Sequence, residues 1–526
     1  MSTVIDKSDR TRTHRIMLAL HSWSALVLGL LLYAVIVTGA VAVFEHEIGR
    51  WSNPLPKANV PIFAPGLDDA IRTMGDTIDP AYMDEIALFP GPSDRLRAYF
   101  HYHGEDTVRG VLAEFDPSTW ALLSQREGTQ DELFAVDQTG ALARFLVDLH
   151  VRLYLPSPWG LFLTGVLGLA MLLAAITGLV IHRKLIKELF LLRISTKNPL
   201  LSQRDRHALA GTWNLIFAFL LAFTGSFFSF AGSFGIPLMA MIAAGGDEEK
   251  LAETVIAMPQ AHDSTPTPSA SFDDLLADIQ ERFPDAGQPL SMSIERWGRA
   301  DGIALIEMAA EDGQFGERSY LYSLADGQFM REKPQIGVQP SFGSGLLDVL
   351  GPLHFGNFAG FMSKALWFCL GIASAWVVYT GMMLWFRRRE GEWQKTELAT
   401  VWICLGLPLG LAATPAAYFM ASHVGLLPAT AIKMVFVVVS TLALASLLLI
   451  GEQSFRRFVG WALALCFFAA PLTRMLSGGI AWSPAFATGY ADIVVIDGLL
   501  LSAALFITWR QIQGLKQPQE EIAYDR

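Results

Sequence analysis

The sequence predicts a polytopic α-helical membrane protein of about eight spans with two extracytoplasmic α+β domains. Three observations lead there. Hydrophobic residues make up 52% of the 526 positions, and they gather into runs of about 20, long enough to cross a hydrocarbon core of roughly 30 Å. Two long polar stretches, 45–158 and 232–361, separate the early runs. A unit of span, small domain and span occurs twice, and self-similarity of this kind is the first thing to seek in a sequence.

The spans fall near residues 16–44, 159–181, 208–231, 362–385, 398–420, 430–451, 458–476 and 489–510. The first is too long for the apolar core of a signal peptide and carries His21, so it reads as a retained anchor. Orientation follows from lysine and arginine in short loops. Arg10, Arg12 and Arg15 precede span 1, and Arg183, Lys184, Lys187, Arg193, Lys197, Arg204 and Arg206 follow span 2. Arg387 to Arg389 close span 4, Arg456 and Arg457 span 6, and Arg510 with Lys516 span 8. All lie on one side, which places both termini in the cytoplasm and the long loops in the periplasm of a bacterial inner membrane. The expected organisation is a tail and span 1 (1–44), a first periplasmic domain (45–158), and spans 2 and 3 with their loop (159–231). A second periplasmic domain (232–361), span 4 (362–390) and a four-span extension (391–526) follow.

A formal net charge of -11 without basic clusters outside short loops excludes nucleic acid as a partner. Cys369, Cys404 and Cys466 all fall inside apolar runs, so disulfides and thiolate metal sites are not expected.

The repeat carries chemistry. His21 precedes Thr38-Gly39 by 17 residues, and His207 precedes Thr224-Gly225 by 17. His150 leads to Thr177-Gly178 and His354 to Thr380-Gly381, at spacings of 27 and 26. The loops repeat too. Residues 67–74 (LDDAIRTM) and 272–283 (FDDLLADIQERF) read as short amphipathic helices, and strand-like segments follow each.

His21 and His207 lie at the cytoplasmic ends of their spans, and His150 and His354 lie outside spans 2 and 4. Ionisable residues at membrane depth are costly and face a cavity, a partner or a cofactor. Two neutral imidazoles opposed across a bundle suit the two axial positions of a b-type haem. The expected pairs are His21 with His207 and His150 with His354, giving two haems as metal sites. His46 and His182 are alternative ligands. The Thr-Gly pairs read as helix-packing positions. His101 and His103 share one face of a strand, a wet face on this reading. Lys433, Arg474, Asp492 and Asp497 are polar residues within the extension, expected to pair with one another. No side chain is assigned a catalytic role, because a cofactor would carry the chemistry.

These residues resemble the PepSY-associated transmembrane proteins, and within them the inner-membrane ferrisiderophore reductases. The pattern of His followed by Thr-Gly covers about residues 14–390, and residues 271–294 are similar to a PepSY helix leading into its first strand. The resemblance implies two periplasmic PepSY-like domains, haem b held by His21, His150, His207 and His354, and a ferric siderophore as substrate. The electron donor, cytoplasmic or a quinol, is left open. Two other readings compete: a non-redox PepSY protein that binds a peptide or protease, and a transporter of the siderophore or iron.

Overall fold

The computed structural model describes residues 7–52, 61–91, 95–103, 107–135, 138, 140–182, 190, 193, 199–243, 245–246, 251, 258–309, 317–334, 337, 341–389, 391–487 and 490–516. Arg183, Lys184, Lys187 and Lys197 of the basic loop lie outside the described residues. The chain forms two compact units. A membrane unit comprises Met1–Pro54, Gly140–Ser233 and Ala365–Arg526, and a sheet unit comprises Leu55–Thr139 and Phe234–Lys364.

The membrane unit is helical because no water is present in lipid to satisfy an open backbone. Its elements are α1 (Lys7–Ala42), α2 (Glu45–Ser52), α3 (Ala141–Arg152), α4 (Trp159–Ile181), α5 (Pro199–Trp213), α6 (Leu215–Phe230), α7 (Gly360–Arg387), α8 (Gln394–Met420), α9 (Pro428–Leu476) and α10 (Ala491–Lys516). Seven helices are long and apolar enough to span, which makes this a multi-pass membrane protein. One of them, α9, has 49 residues, about 74 Å at 1.5 Å per residue and more than two crossings' worth. It is broken at Gly451, whose φ of 75° favours glycine. The expected spans 6 and 7 lie on either side of that break.

The third span differs from expectation at both ends. The apolar helix runs over Leu215–Ile242, not 208–231, because the sequence stays apolar through Ile236–Ala243 beyond a π-helical turn at Ala231–Gly235. His207 thus sits on α5, the segment before it. Close packing relies on small residues. A Cβ on Gly371 would lie 2.8 Å from that of Ala40, and one on Gly168 would lie 2.3 Å from Ser226 Oγ.

The extension is tied to the N-terminal part by polar contacts. Asp497 and Arg474 are 0% and 1% exposed and form a bidentate pair. Trp51 Nε1 and Trp482 Nε1 each donate to Asp497 at 2.8 Å, and Arg474 Nη1 donates to the Ile480 carbonyl at 2.8 Å. A buried ion pair is tolerable only when its remaining lone pairs and protons find partners, as here. Mutual pairing thus holds for Arg474 and Asp497. Asp492 instead pairs with Arg50 at 2.7 Å, and the Lys433 ammonium lies 5.3 Å from the centre of the Tyr154 ring. The three cysteines are free thiols.

The sheet unit holds one antiparallel sheet of eight strands in the order β4-β3-β2-β1-β5-β6-β7-β8. The strands are β1 (Glu85–Pro90), β2 (Leu96–His103), β3 (Val108–Phe115), β4 (Leu122–Thr129), β5 (Pro289–Glu295), β6 (Ile303–Met308), β7 (Arg318–Ser323) and β8 (Phe329–Lys333). The sequence suggests two separate domains, yet β1 and β5 pair directly, Ile86 opposite Ile294 and Leu88 opposite Met292. The expected amphipathic helices are present as Leu67–Gly75 and Phe272–Arg282. Leu67, Ile71, Phe272 and Ile279 bury their side chains in one core with Ile86, Phe100, Ile294, Ile306 and Tyr322.

The two helices cap each other. Asp68 accepts from the Phe272 backbone N–H at 3.1 Å, and Asp273 accepts from those of Gly66 and Asp68 at 3.2 and 3.3 Å. A carboxylate at a helix N-terminus satisfies orphan donors and complements the helix dipole. On β2, His101 stacks on Tyr99 at 4.3 Å and reaches Glu85 at 3.2 Å. It is therefore half-buried and partnered, not on a wet face. The His103 side chain lies outside the described residues.

The buried pair sets a contrast. Asp497→Ala, which leaves Arg474 and two indole N–H groups unsatisfied, is expected to cost about 3–5 kcal/mol. Asp492→Ala, removing a more exposed pair, costs under about 1 kcal/mol. Thermal unfolding of the purified full chain in detergent checks this, and equal losses would contradict the assignment.

Candidate functional site

The geometry is built from one local arrangement, seen at His21, His207 and His150. His21 on α1 places Nδ1 3.0 Å from the Ala174 carbonyl of α4 and 3.2 Å from Thr177 Oγ1. His207 on α5 places Nδ1 3.0 Å from the Val377 carbonyl of α7 and 3.3 Å from Thr380 Oγ1. His150 on α3 places Nδ1 2.8 Å from the Val35 carbonyl of α1. In each case the carbonyl belongs to the residue three before the Thr of a Thr-Gly pair. Positions i, i+3 and i+4 share one face of a helix, so carbonyl, Thr and Gly line up beneath the ring.

Glycine makes the contact possible. A Cβ on Gly39 would fall 2.5 Å from His150 Cε1, and one on Gly381 would fall 2.9 Å from His207 Cε1. On Gly178 it would meet His21 at 3.4 Å. The Thr hydroxyls bond back to their own helices, Thr38 to Ala34 O at 2.7 Å, Thr177 to Leu173 O at 2.6 Å and Thr380 to Trp376 O at 2.8 Å. The Thr-Gly pairs are therefore packing positions, as expected, but they pack against an imidazole.

Chemistry follows from the acceptor. A carbonyl can only accept, so each Nδ1 carries the hydrogen and Nε2 is left with its lone pair. Among the described residues, Nε2 of His21 and of His207 has no hydrogen-bond partner, while their ring centres lie 6.2 Å apart with planes at 68°. A neutral imidazole with Nδ1–H fixed on a carbonyl is the tautomer that metal-bound histidines adopt through Nε2.

His21 and His207 line an open-mouthed cavity of about 1190 Å³ between the helices. Leu32, Ile36, Ala170 and Ala218 line its depth. At the other end stand Arg15, Arg193, Arg204, Arg388 and Arg389. Arg193 bonds Asp205 through Nε at 2.6 Å and Nη2 at 2.9 Å, and Arg204 adds a contact at 3.2 Å. These bonds, that from Arg193 first, hold the Asp205 carboxyl below its ordinary range. Two buried polar atoms of lining residues have no partner. They are Asn214 Oδ1, whose Nδ2 donates to Ser374 Oγ, and Trp385 Nε1.

The remaining histidines divide. His354 lies on the helix Phe342–Phe355, in the sheet unit, with its ring 5.3 Å from that of Phe355. His150 and His354 thus ride on helices of their own before spans 2 and 4, elements the sequence reading left inside loops. His182 caps α4, lines the cavity and contacts Thr212 Oγ1 at 3.3 Å. His46 is exposed on α2, as is His423 beyond α8. Asn214, Trp385 and Asp205 escaped the sequence reading. An asparagine amid an apolar run was the one available signal.

Among the described residues, seven apolar helices long enough to span define a multi-pass membrane protein, and His21 and His207 line a cavity in its N-terminal part. The family described as the PepSY-associated TM region matches residues 18–388, and the chain belongs to that family. It is also similar to an uncharacterised protein of Pseudomonas aeruginosa, 28% identical over 256 residues, which cover 46% of this chain. The match spans 63% of that relative's length.

The glycines give a graded test. Gly39→Ala and Gly381→Ala overpack rings that a hydrogen bond holds in place, at a cost of about 1–3 kcal/mol. Gly178→Ala meets only an ordinary contact and costs under about 1 kcal/mol. Unfolding midpoints of the three purified variants are expected in that order, and a flat series would contradict the clasp.

Proposed function

We propose that this chain is a haem-containing inner-membrane reductase that passes electrons to a periplasmic ferric siderophore, so that Fe(II) is released for uptake. One observation carries the reading. His21 and His207 are both fixed as the Nε2-ligating tautomer, with ring centres 6.2 Å apart in a large cavity. An imidazole nitrogen binds a transition metal at about 2 Å, so two rings whose centres lie this close could both reach one metal. The donor set, two neutral imidazoles, is that of a low-spin b-type haem.

The residues present fit the group. His21 and His207 would hold one haem; the second haem, with His150 and His354 as its ligands, is an expectation of the sequence repeat alone. Haem iron supplies a one-electron couple when bound. The protein's part is to fix the imidazoles, to exclude water with apolar lining such as Leu32 and Ile36, and to keep the ring nitrogens neutral by burial. Iron held by hard oxygen donors is bound less firmly as Fe(II), the softer and less charged ion, so one-electron reduction favours release. The PepSY-like sheet unit would face the periplasm, where the substrate docks. The four-span extension braces the bundle through Arg474, Asp497 and Trp51.

The purified, haem-loaded chain, reduced with dithionite and freed of excess reductant without oxygen, tests the proposal. Adding a ferric hydroxamate siderophore is expected to reoxidise the haem bands while an Fe(II) chelator develops colour, one iron per electron. His207→Ala should slow this by at least tenfold. Reduced protein that keeps its spectrum in the presence of ferric hydroxamate and catecholate complexes would overturn it.

A further inference from the structure

We propose that the arginine-rich end of the His21–His207 cavity is a carboxylate clamp, in which Trp385 Nε1, Arg15, Arg388 and Arg389 grip the acid groups of the ligand the histidines hold. On the reading above, which this inference rests on, that ligand is a porphyrin dicarboxylate.

Trp385 is the observation that points to a ligand. Its side chain is 8% exposed, and its indole N–H has no partner among the described residues. A buried donor left without an acceptor keeps its desolvation cost unrepaid, so such groups ordinarily have one. Trp385 lines the cavity, and the Arg389 guanidinium lies 4.0 Å from the centre of its ring, so the indole and that arginine stand at the same end of it.

The order along the helices is right for an amphipathic acid. On α7, Val377 to Gly381 receive the His207 ring, Trp385 follows one turn later, about 6 Å along the axis, and Arg388 and Arg389 come next. On α1, Arg15 likewise lies beyond His21, on the side away from Leu32 and Ile36. An apolar depth, a pair of imidazoles and a cationic rim therefore succeed one another along one cavity. The rim has charge to spare. Arg193 and Arg204 are matched by Asp205, whereas Arg15, Arg388 and Arg389 have no carboxylate partner among the described residues. Guanidinium groups and an indole N–H are hydrogen-bond donors only, and anionic oxygens are their natural acceptors. The phosphate of an anionic lipid offers the same oxygens, so the test must separate the two sources.

Full-length protein is stripped of haem and titrated in neutral detergent with protohaem or its dimethyl ester, following the Soret band at equilibrium. The diacid is expected to bind at least tenfold more tightly than the diester. In Trp385→Phe combined with Arg388→Gln and Arg389→Gln, diacid affinity should fall to that of the diester, with the diester unchanged as the control for folding. Equal affinity of diacid and diester in the unaltered protein overturns the clamp alone. So does equal weakening of both in the variant. Phosphatidylglycerol that weakens diacid binding and spares the diester would assign the clamp to lipid phosphate. Binding of neither porphyrin overturns the haem reading together with the clamp.

Discussion

The hydrogen bond from an imidazole Nδ1 to a backbone carbonyl on a neighbouring helix is the constraint on which the rest of this structure depends. It does three things at once. It gives a buried polar side chain a partner where lipid offers none, it sets the ring's direction, and it decides which nitrogen keeps a lone pair. The carbonyl is already engaged in its own helix, and the Thr three residues on returns its hydroxyl to that same stretch of backbone. Glycine one residue later removes the Cβ that would otherwise strike the ring. His21, His207 and His150 each meet this face of a different helix. A membrane bundle built this way is held together by its histidines as much as by apolar packing.

Each unit has polar ties of its own. In the sheet unit, Asp68 and Asp273 cap each other's helices, and β1 pairs with β5, so two helix-and-strand halves share one core. In the membrane unit, α2 leaves the end of α1 and is secured by Trp51 to the Arg474–Asp497 pair. Removing that anchor would loosen the helix that carries both His21 and the carbonyl of Val35. The extension thus has a structural reason for its buried charges.

Much of this was legible in the sequence. Apolar runs gave the spans, because length and composition decide what can cross a membrane, and the repeated spacing from His to Thr-Gly pointed to His21, His207 and His150, whose rings meet carbonyls of neighbouring helices. The amphipathic helices at Leu67 and Phe272 and the strands at Leu96, Val108, Ile303 and Arg318 followed from periodicity. Other features were hidden for physical reasons. The pairing of Ile86 with Ile294 is a contact between residues far apart in sequence, which no local pattern encodes. Helices Ala141–Arg152 and Phe342–Phe355 are too short and mixed to stand out from a loop. The meaning of Thr-Gly lay in a third, silent position, the carbonyl three residues earlier, which any residue type can supply. Nothing in the sequence marks Trp385 apart from other aromatics, because an N–H buried without a partner among the described residues is a property of the packing.

The central claim is that paired imidazoles, tautomerised by their neighbours' carbonyls, hold haem within the bundle. The most direct measurement is the absorption spectrum of the full-length protein purified from cells supplied with haem, oxidised and dithionite-reduced, with pyridine haemochrome quantitation. Two b-type haems per chain with sharp low-spin bands are the predicted result. Well-folded protein without a Soret band would contradict it.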